Sequence, residues 1–356
     1  MRKYIFTGET RVGANNVILR RIIGINRFDG RPGGFIEHEG NLSHDGDCWV
    51  DNDAEVYNNA KVIENGVVRH TSLVVENATV RGNASVSGSA RLFGNTIIED
   101  DARMSNSSMA FSNARISDNS SLWDSSWVSG SAKLLGTTTL NDTSVADDRA
   151  ILKNTDLTGS ARVSGDAKII DAIIEDTSFV TGQAFINGEL TISGASFITD
   201  NAYVGGDCTL ENVQMTDSSK IYDSAFVQNI SLSNNSQIFG NARVTSTSIS
   251  RARLIDNVMI FENATVTLMT AHTVASGNAR IFGNARITGN LIHLPVVENN
   301  AQVSGDVFMQ GGRVSRNARV QDNCQIYPAG IVSFNTFVTG NAIVGETIAN
   351  IPFLSR

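Results

Sequence analysis

Ala78-Thr79-Val80-Arg81-Gly82-Asn83-Ala84-Ser85-Val86-Ser87-Gly88-Ser89-Ala90-Arg91-Leu92 repeats one phrase: a small residue, any residue, an aliphatic, then three turn-formers. The phrase continues in both directions. From Ala54 to Ala150 every sixth residue is Ala, Gly, Ser or Thr, and the residue two places later is apolar each time, from Val56 to Leu152, through 17 consecutive hexads. A helix repeats every ~3.6 residues and a strand every ~2, so a beat of six means stacked copies of one unit. Alternate residues of an extended segment share a face, so the small and aliphatic positions point together into a core. The intervening Gly, Asn, Asp and Ser tolerate the left-handed or bridging backbone of a sharp corner. Each hexad is predicted to be one short strand plus one bend, and the chain an all-β solenoid.

Past Ala150 the frame slips and then resumes, with aliphatics at Ile186, Ile192, Ile198, Val204 and Leu210, and again at Val320, Ile326, Val332, Val338 and Val344. Steps of five, from Val227 to Leu232 and from Met309 to Val314, trim a corner without ending the array. Val56 to Val344 spans 288 residues, or 48 hexads, so insertions and deletions cancel and few large loops are expected to protrude. At 356 residues the chain is long for one globular core, but a repeat array buries a one-dimensional core, and a single long domain is expected.

Composition narrows the partners. The net charge is −8, from 28 basic and 36 acidic residues with no basic cluster, and this argues against nucleic acid. Tyr4, Ile5 and Phe6 are too short an apolar run for a secretory core, and no stretch is long enough to span a membrane. Cys48, Cys208 and Cys324 are odd in number and far apart, and they read as buried thiols in a reducing cytoplasm.

The hexad pattern resembles the hexapeptide repeat of the left-handed parallel β-helix, the fold of the UDP-N-acetylglucosamine acyltransferase superfamily. Lys3-Tyr4, Leu19-Arg20, Gly33-Gly34-Phe35-Ile36, Asn41-Leu42-Ser43 and Gly46-Asp47-Cys48-Trp49-Val50 are similar to the start of the YdcK family, which is classed among acetyltransferases. That likeness covers about the first 50 residues; the repeats beyond are shared by any hexapeptide protein. The resemblance implies a single-stranded left-handed β-helix with three hexads per coil, about 16 coils over residues 51–345, an N-terminal capping segment at 1–50 and a C-terminal tail at 346–356. It also implies transfer of an acetyl group from acetyl-CoA to a small-molecule amine or hydroxyl. In such enzymes a His is the general base and the acyl-coenzyme A lies in a groove between adjacent solenoids of an oligomer.

A solenoid end exposes strand edges and an apolar cross-section, and residues 1–50 suit its cover. Val17 to Ile25 is an apolar run, and Trp49 stands where a large ring can close the core. With 18-residue coils, outward positions form two adjacent apolar columns: Leu73, Arg91, Met109, Trp127 and Val145, and Tyr57, Val75, Phe93 and Phe111. The column Lys61, Thr79, Ile97, Arg115, Lys133 and Ile151 is more polar. Stacking between coils explains part of this pattern; self-association through the face bearing Phe93, Met109, Phe111 and Trp127 is the expectation for the rest.

Five histidines are candidates for the base. His38 and His44 lie in the capping segment, His70 at a regular bend, and His272 and His293 where Leu268-Met269-Thr270-Ala271-His272 and Leu291-Ile292-His293-Leu294-Pro295 interrupt the beat. Irregular segments on a rigid scaffold are where sites are built, so His272 and His293 are the predicted catalytic residues. His38 and His44 sit near Glu37, Glu39 and Asp45, yet the spacing seen in the related hexapeptide carbonic anhydrases, two His four residues apart, is absent, and no metal is expected. No phosphate-binding glycine loop, dinucleotide fingerprint or nucleophile elbow occurs. Regular coils, scattered His and few loops also suit a different class of function, a noncatalytic scaffold or binding solenoid.

Overall fold

The computed structural model describes residues 2–28, 30–248, 251–349 and 353–355. The chain divides into two compact units, residues 1–170 with 174–176, and residues 171–173 with 177–356. Both are parallel β-solenoids with three short strands to a turn, about 18 turns in all where the hexads imply about 16.

In the first unit, Glu55–Val56, Leu73–Val74, Arg91–Leu92, Met109–Ala110, Trp127–Val128 and Val145–Ala146 stack in parallel register on one side. Lys61–Val62, Thr79–Val80 and Ile97–Ile98 stack on a second, and Trp49–Val50, Val67–Val68 and Ser85–Val86 on a third. The small and aliphatic positions are fully buried throughout, from Ala54 and Val56 to Ala150 and Leu152. The corners carry the left-handed backbone that the composition implies. Glu64, Gly82, Asp100, Asp118 and Gly136 occupy one corner in successive turns with φ of 59°, 63°, 60°, 58° and 65°. A Cβ on Gly82 would lie 2.6 Å from the Asp100 amide nitrogen, so this corner tolerates little bulk. Each turn ties to the next through side chains as well as backbone: Asn59, Asn77, Asn95 and Asn113 form a ladder of amide bonds of 2.9–3.1 Å. The Glu64 and Asp118 carboxylates accept from the Gly82 and Gly136 amides one turn on, at 2.8 and 2.7 Å.

The N-terminal segment begins as an antiparallel sheet of β1 (Tyr4–Val12), β2 (Ile18–Gly24) and β3 (Pro32–Ile36). Strand β3 is the junction, because Phe35 and Ile36 also pair in parallel with Glu55 and Val56. Stacking thus starts inside the segment expected to be only a cover. The guanidinium groups of Arg11 and Arg21 both lie over the Phe35 ring, 4.1 and 4.5 Å from its centroid. Trp49 is fully buried and stacks on Phe28 with centroids 5.2 Å apart.

Strand β2 also covers part of the apolar columns. Leu19, Phe35, Tyr57 and Val75 form a buried cluster, with Val17, Leu73 and Phe93 packed against it. The chain thereby buries the start of the stripe itself. Further along, Met109, Phe111 and Trp127 stay half-buried, with the Phe111 and Trp127 rings stacked at 5.5 Å.

In the second unit the same three-stranded turns recur, with Tyr222, Phe239, Phe261 and Phe282 in a column of parallel rings 4.8–4.9 Å apart. Val227 to Leu232 is trimmed as expected: Phe226–Gln228 and Ile230–Leu232 are separated by Asn229 alone, at φ 55°. Part of the expected tail joins the stack, since Thr347–Ala349 pairs with Ile331–Ser333 and Leu354–Ser355 with Val338–Thr339. Residues 350–352 and 356 of that tail lie outside the described residues. No helix among the described residues is long and apolar enough to cross a membrane.

Candidate functional site

Turn length is where the second unit departs from strict repetition. Asn ladders measure it: Asn59 bonds to Asn77 at a separation of 18 residues, whereas Asn235 bonds to Asn257 at 22, Asn257 to Asn278 at 21 and Asn278 to Asn300 at 22. The following rung, Asn300 to Asn317, returns to 17.

The extra residues of these three consecutive turns fall at one corner. Arg243–Ser246, Thr265–Leu268 and Arg286–Thr288 stack on the side before it, and Ala252–Leu254, Thr273–Ala275 and Val296–Val297 on the side after it. Residues 247, 248 and 251, residues 269–272 and residues 289–295 therefore bulge together, between the tight turns at Asn229 and at Gly311-Gly312. The expectation of few protruding loops is corrected here, because five-residue steps elsewhere offset these insertions in the total length.

Both predicted residues lie on this ridge, in adjacent turns. His272 is fully engaged. Its Nε2 lies 3.0 Å from the Pro295 carbonyl oxygen and its Nδ1 2.8 Å from the Thr270 hydroxyl. A carbonyl can only accept, so Nε2 carries a proton, and in the neutral ring Nδ1 then accepts from the Thr270 hydroxyl. The imidazole thus clips one bulge to the next. The loop ahead of Pro295 closes on itself, as Asn290 Oδ1 accepts from the Ile292 and His293 amides at 2.9 and 2.8 Å, and the Asn290 amide donates to the His293 carbonyl at 3.1 Å. Gly311, at φ 80°, lets the next turn approach closely; a Cβ there would lie 2.9 Å from that of His293. The His293 side chain is half-buried and its imidazole makes no hydrogen bond among the described residues.

Around the histidines the ridge is apolar and open. Leu291 and Ile292 are 77% and 82% exposed, and Met269 and Leu294 are exposed as well. Such side chains on a corner that elsewhere carries Asn, Asp and Gly are the feature that sequence reading passed over. The signal was present in Leu291-Ile292-His293-Leu294, apolar residues off the beat; that three bulges coincide emerges only from the register.

The other histidines serve the backbone. His38 Nδ1 accepts from the Gly40 amide at 3.1 Å, capping a short 3-10 turn. His70 is an exposed corner residue whose Nδ1 accepts from the Gly88 amide at 3.3 Å, the role carboxylates play at neighbouring corners. His44 stacks on Tyr4 at 4.4 Å, and burial lowers its pKa. Among the described residues no group of three or more His, Cys, Asp or Glu is arranged to hold a metal ion. All three cysteines are free and buried.

Compared with family models and with curated proteins, the chain matches none of them.

Proposed function

We propose that this protein is an acyl-coenzyme A-dependent acyltransferase of the left-handed β-helix kind, transferring an acetyl group to a small-molecule amine or hydroxyl in the cytoplasm. The observation that carries the reading is the ridge of three coincident bulges, which brings together two histidines with different duties. His293, with its imidazole unengaged, would take the proton of the acceptor as that group attacks the thioester carbon. His272 acts as a positioning residue: its two hydrogen bonds fix Pro295 and with it the segment that carries His293. Leu291, Ile292 and Leu294 supply apolar contact for the acyl carrier or for a neighbouring copy.

A thermal-shift titration with acetyl-coenzyme A and with free coenzyme A tests this. A ligand that binds only the folded state at about 100 times its Kd adds ~2.7 kcal/mol, a clear rise in midpoint. An unmoved midpoint at millimolar cofactor would sink the enzyme reading and leave a noncatalytic scaffold, which the Asn ladders and regular corners of the first unit favour. In either case self-association is proposed through Met109, Phe111 and Trp127, the part of the apolar face that β2 does not bury, continuous with Phe93. An unchanged light-scattering mass for the Phe111→Glu, Trp127→Glu double variant would exclude it.

A further inference from the structure

The three thiols do not share one environment. Cys208 Sγ faces the Gly205 carbonyl at 3.1 Å, and burial pushes this thiol up to about 12; Cys324 Sγ lies 3.7 Å from the Gly340 carbonyl. Among the described residues both thiols hydrogen-bond to backbone carbonyls alone. Cys48 is fully buried against an amine: Lys3 Nζ lies 2.9 Å from its Sγ and 2.8 Å from its carbonyl oxygen. Lys3 is itself only 3% exposed, and among the described residues no carboxylate pairs with it. A lysine is seldom buried this deeply, and when it is, a partner is usually an acid. Here the nearest acidic proton belongs to a thiol.

We propose that Lys3 and Cys48 are the site of an oxidative cross-link, a sulfur–nitrogen bond formed when the protein meets a hydroperoxide. Burial raises the Cys48 thiol pKa and a charge on Lys3 opposes that rise; transfer of the thiol proton to the neutral Lys3 amine gives the thiolate–ammonium pair. The thiolate attacks one peroxide oxygen; an S–O bond forms, the O–O bond breaks, and the departing hydroxide takes a proton from the Lys3 ammonium to give water. The neutral amine then attacks the same sulfur. An S–N bond forms, the S–O bond breaks, and the second hydroxide removes a nitrogen proton. Thiol, amine and hydrogen peroxide thus become a sulfenamide and two waters, with sulfur oxidised by two electrons; sulfenic acids are known to condense with nitrogen in this way. The bond would fasten the residue that leads into β1 to Cys48, 45 residues on in sequence and just ahead of Trp49–Val50.

Peptide mapping of the intact protein after hydrogen peroxide treatment tests this. The expected product joins tryptic peptide 3–11 to peptide 28–61, lighter than their sum by the mass of two hydrogen atoms, and dithiothreitol releases it. Exposed Met269 reports that oxidant reached the protein. Oxidised Met269 alongside a free Cys48 thiol, or alongside uncross-linked Cys48 sulfinic or sulfonic acid, overturns the proposal. Lys3→Arg keeps the charge but is expected to abolish the joined species.

Discussion

The corner at Glu64, Gly82, Asp100 and Asp118 and the corner at 269–272 and 289–295 solve the same problem in opposite ways. At the first, each turn makes its bend with one left-handed residue, and the neighbouring turn satisfies the exposed amides. At the second, extra residues take over, their polar groups are met by Asn290 and His272, and apolar side chains are left outside. Repetition makes a corner cheap and uniform; where it lapses, the corner presents apolar side chains that the next turn does not cover.

This contrast can be broken most severely at the core. Leu134→Ala, at a fully buried inward position, is expected to cost ~2–5 kcal/mol in urea unfolding, while Leu291→Ala on the ridge stays within ~0.5 kcal/mol. Equal costs would mean that the ridge is packed against something. Next comes the tight corner. Gly82→Ala places a Cβ against Asp100 at positive φ and is expected to destabilise by about 1 kcal/mol or more in the same assay.

The two histidines separate more finely. His272→Ala removes both clips and is expected to cost ~1–3 kcal/mol, with faster amide exchange confined to 289–295. His293→Ala is expected to leave stability within ~0.5 kcal/mol and, on the acyltransferase proposal, to abolish acetyl transfer. If His272→Ala left exchange at 289–295 untouched, its positioning role would fall.

The smallest effect is a corner carboxylate. The Thr339 hydroxyl and the Gly340 amide both donate to Asp322 and hold its pKa below 3.8. A carboxylate depressed in the folded state contributes stability above its unfolded pKa, and that contribution disappears as pH falls through the folded value. Asp322→Asn is therefore expected to lose that contribution at neutral pH, as a small drop in the unfolding midpoint, and to converge on the parent as pH falls below about 4. An acid profile superimposable on the parent's would show that Asp322 titrates normally.

Much of this contrast was legible in the residues. A six-residue beat has few causes, so the buried positions from Ala54 to Leu152 could be named without coordinates. His272 and His293 stood out because the beat fails around them. Their different hydrogen bonding did not, since it depends on a carbonyl two residues past His293 and on register offsets of 21 and 22 that no local pattern encodes. The self-covering of the apolar columns was hidden for a similar reason: Val17 and Leu19 reach Tyr57 and Val75 only because β2 turns back antiparallel. Long-range pairing of this kind has no period.

The short rungs of the ladders bear on how the protein is made. Within the stacks the described strands find their partners after 16 to 22 residues, so none of these pairings waits for a distant strand. Sheet proteins ordinarily assemble slowly because their partners are remote. Here turns can be laid down in the order in which they leave the ribosome, each templated by the one before, and a translational pause would strand a finished edge and not a collapsed intermediate.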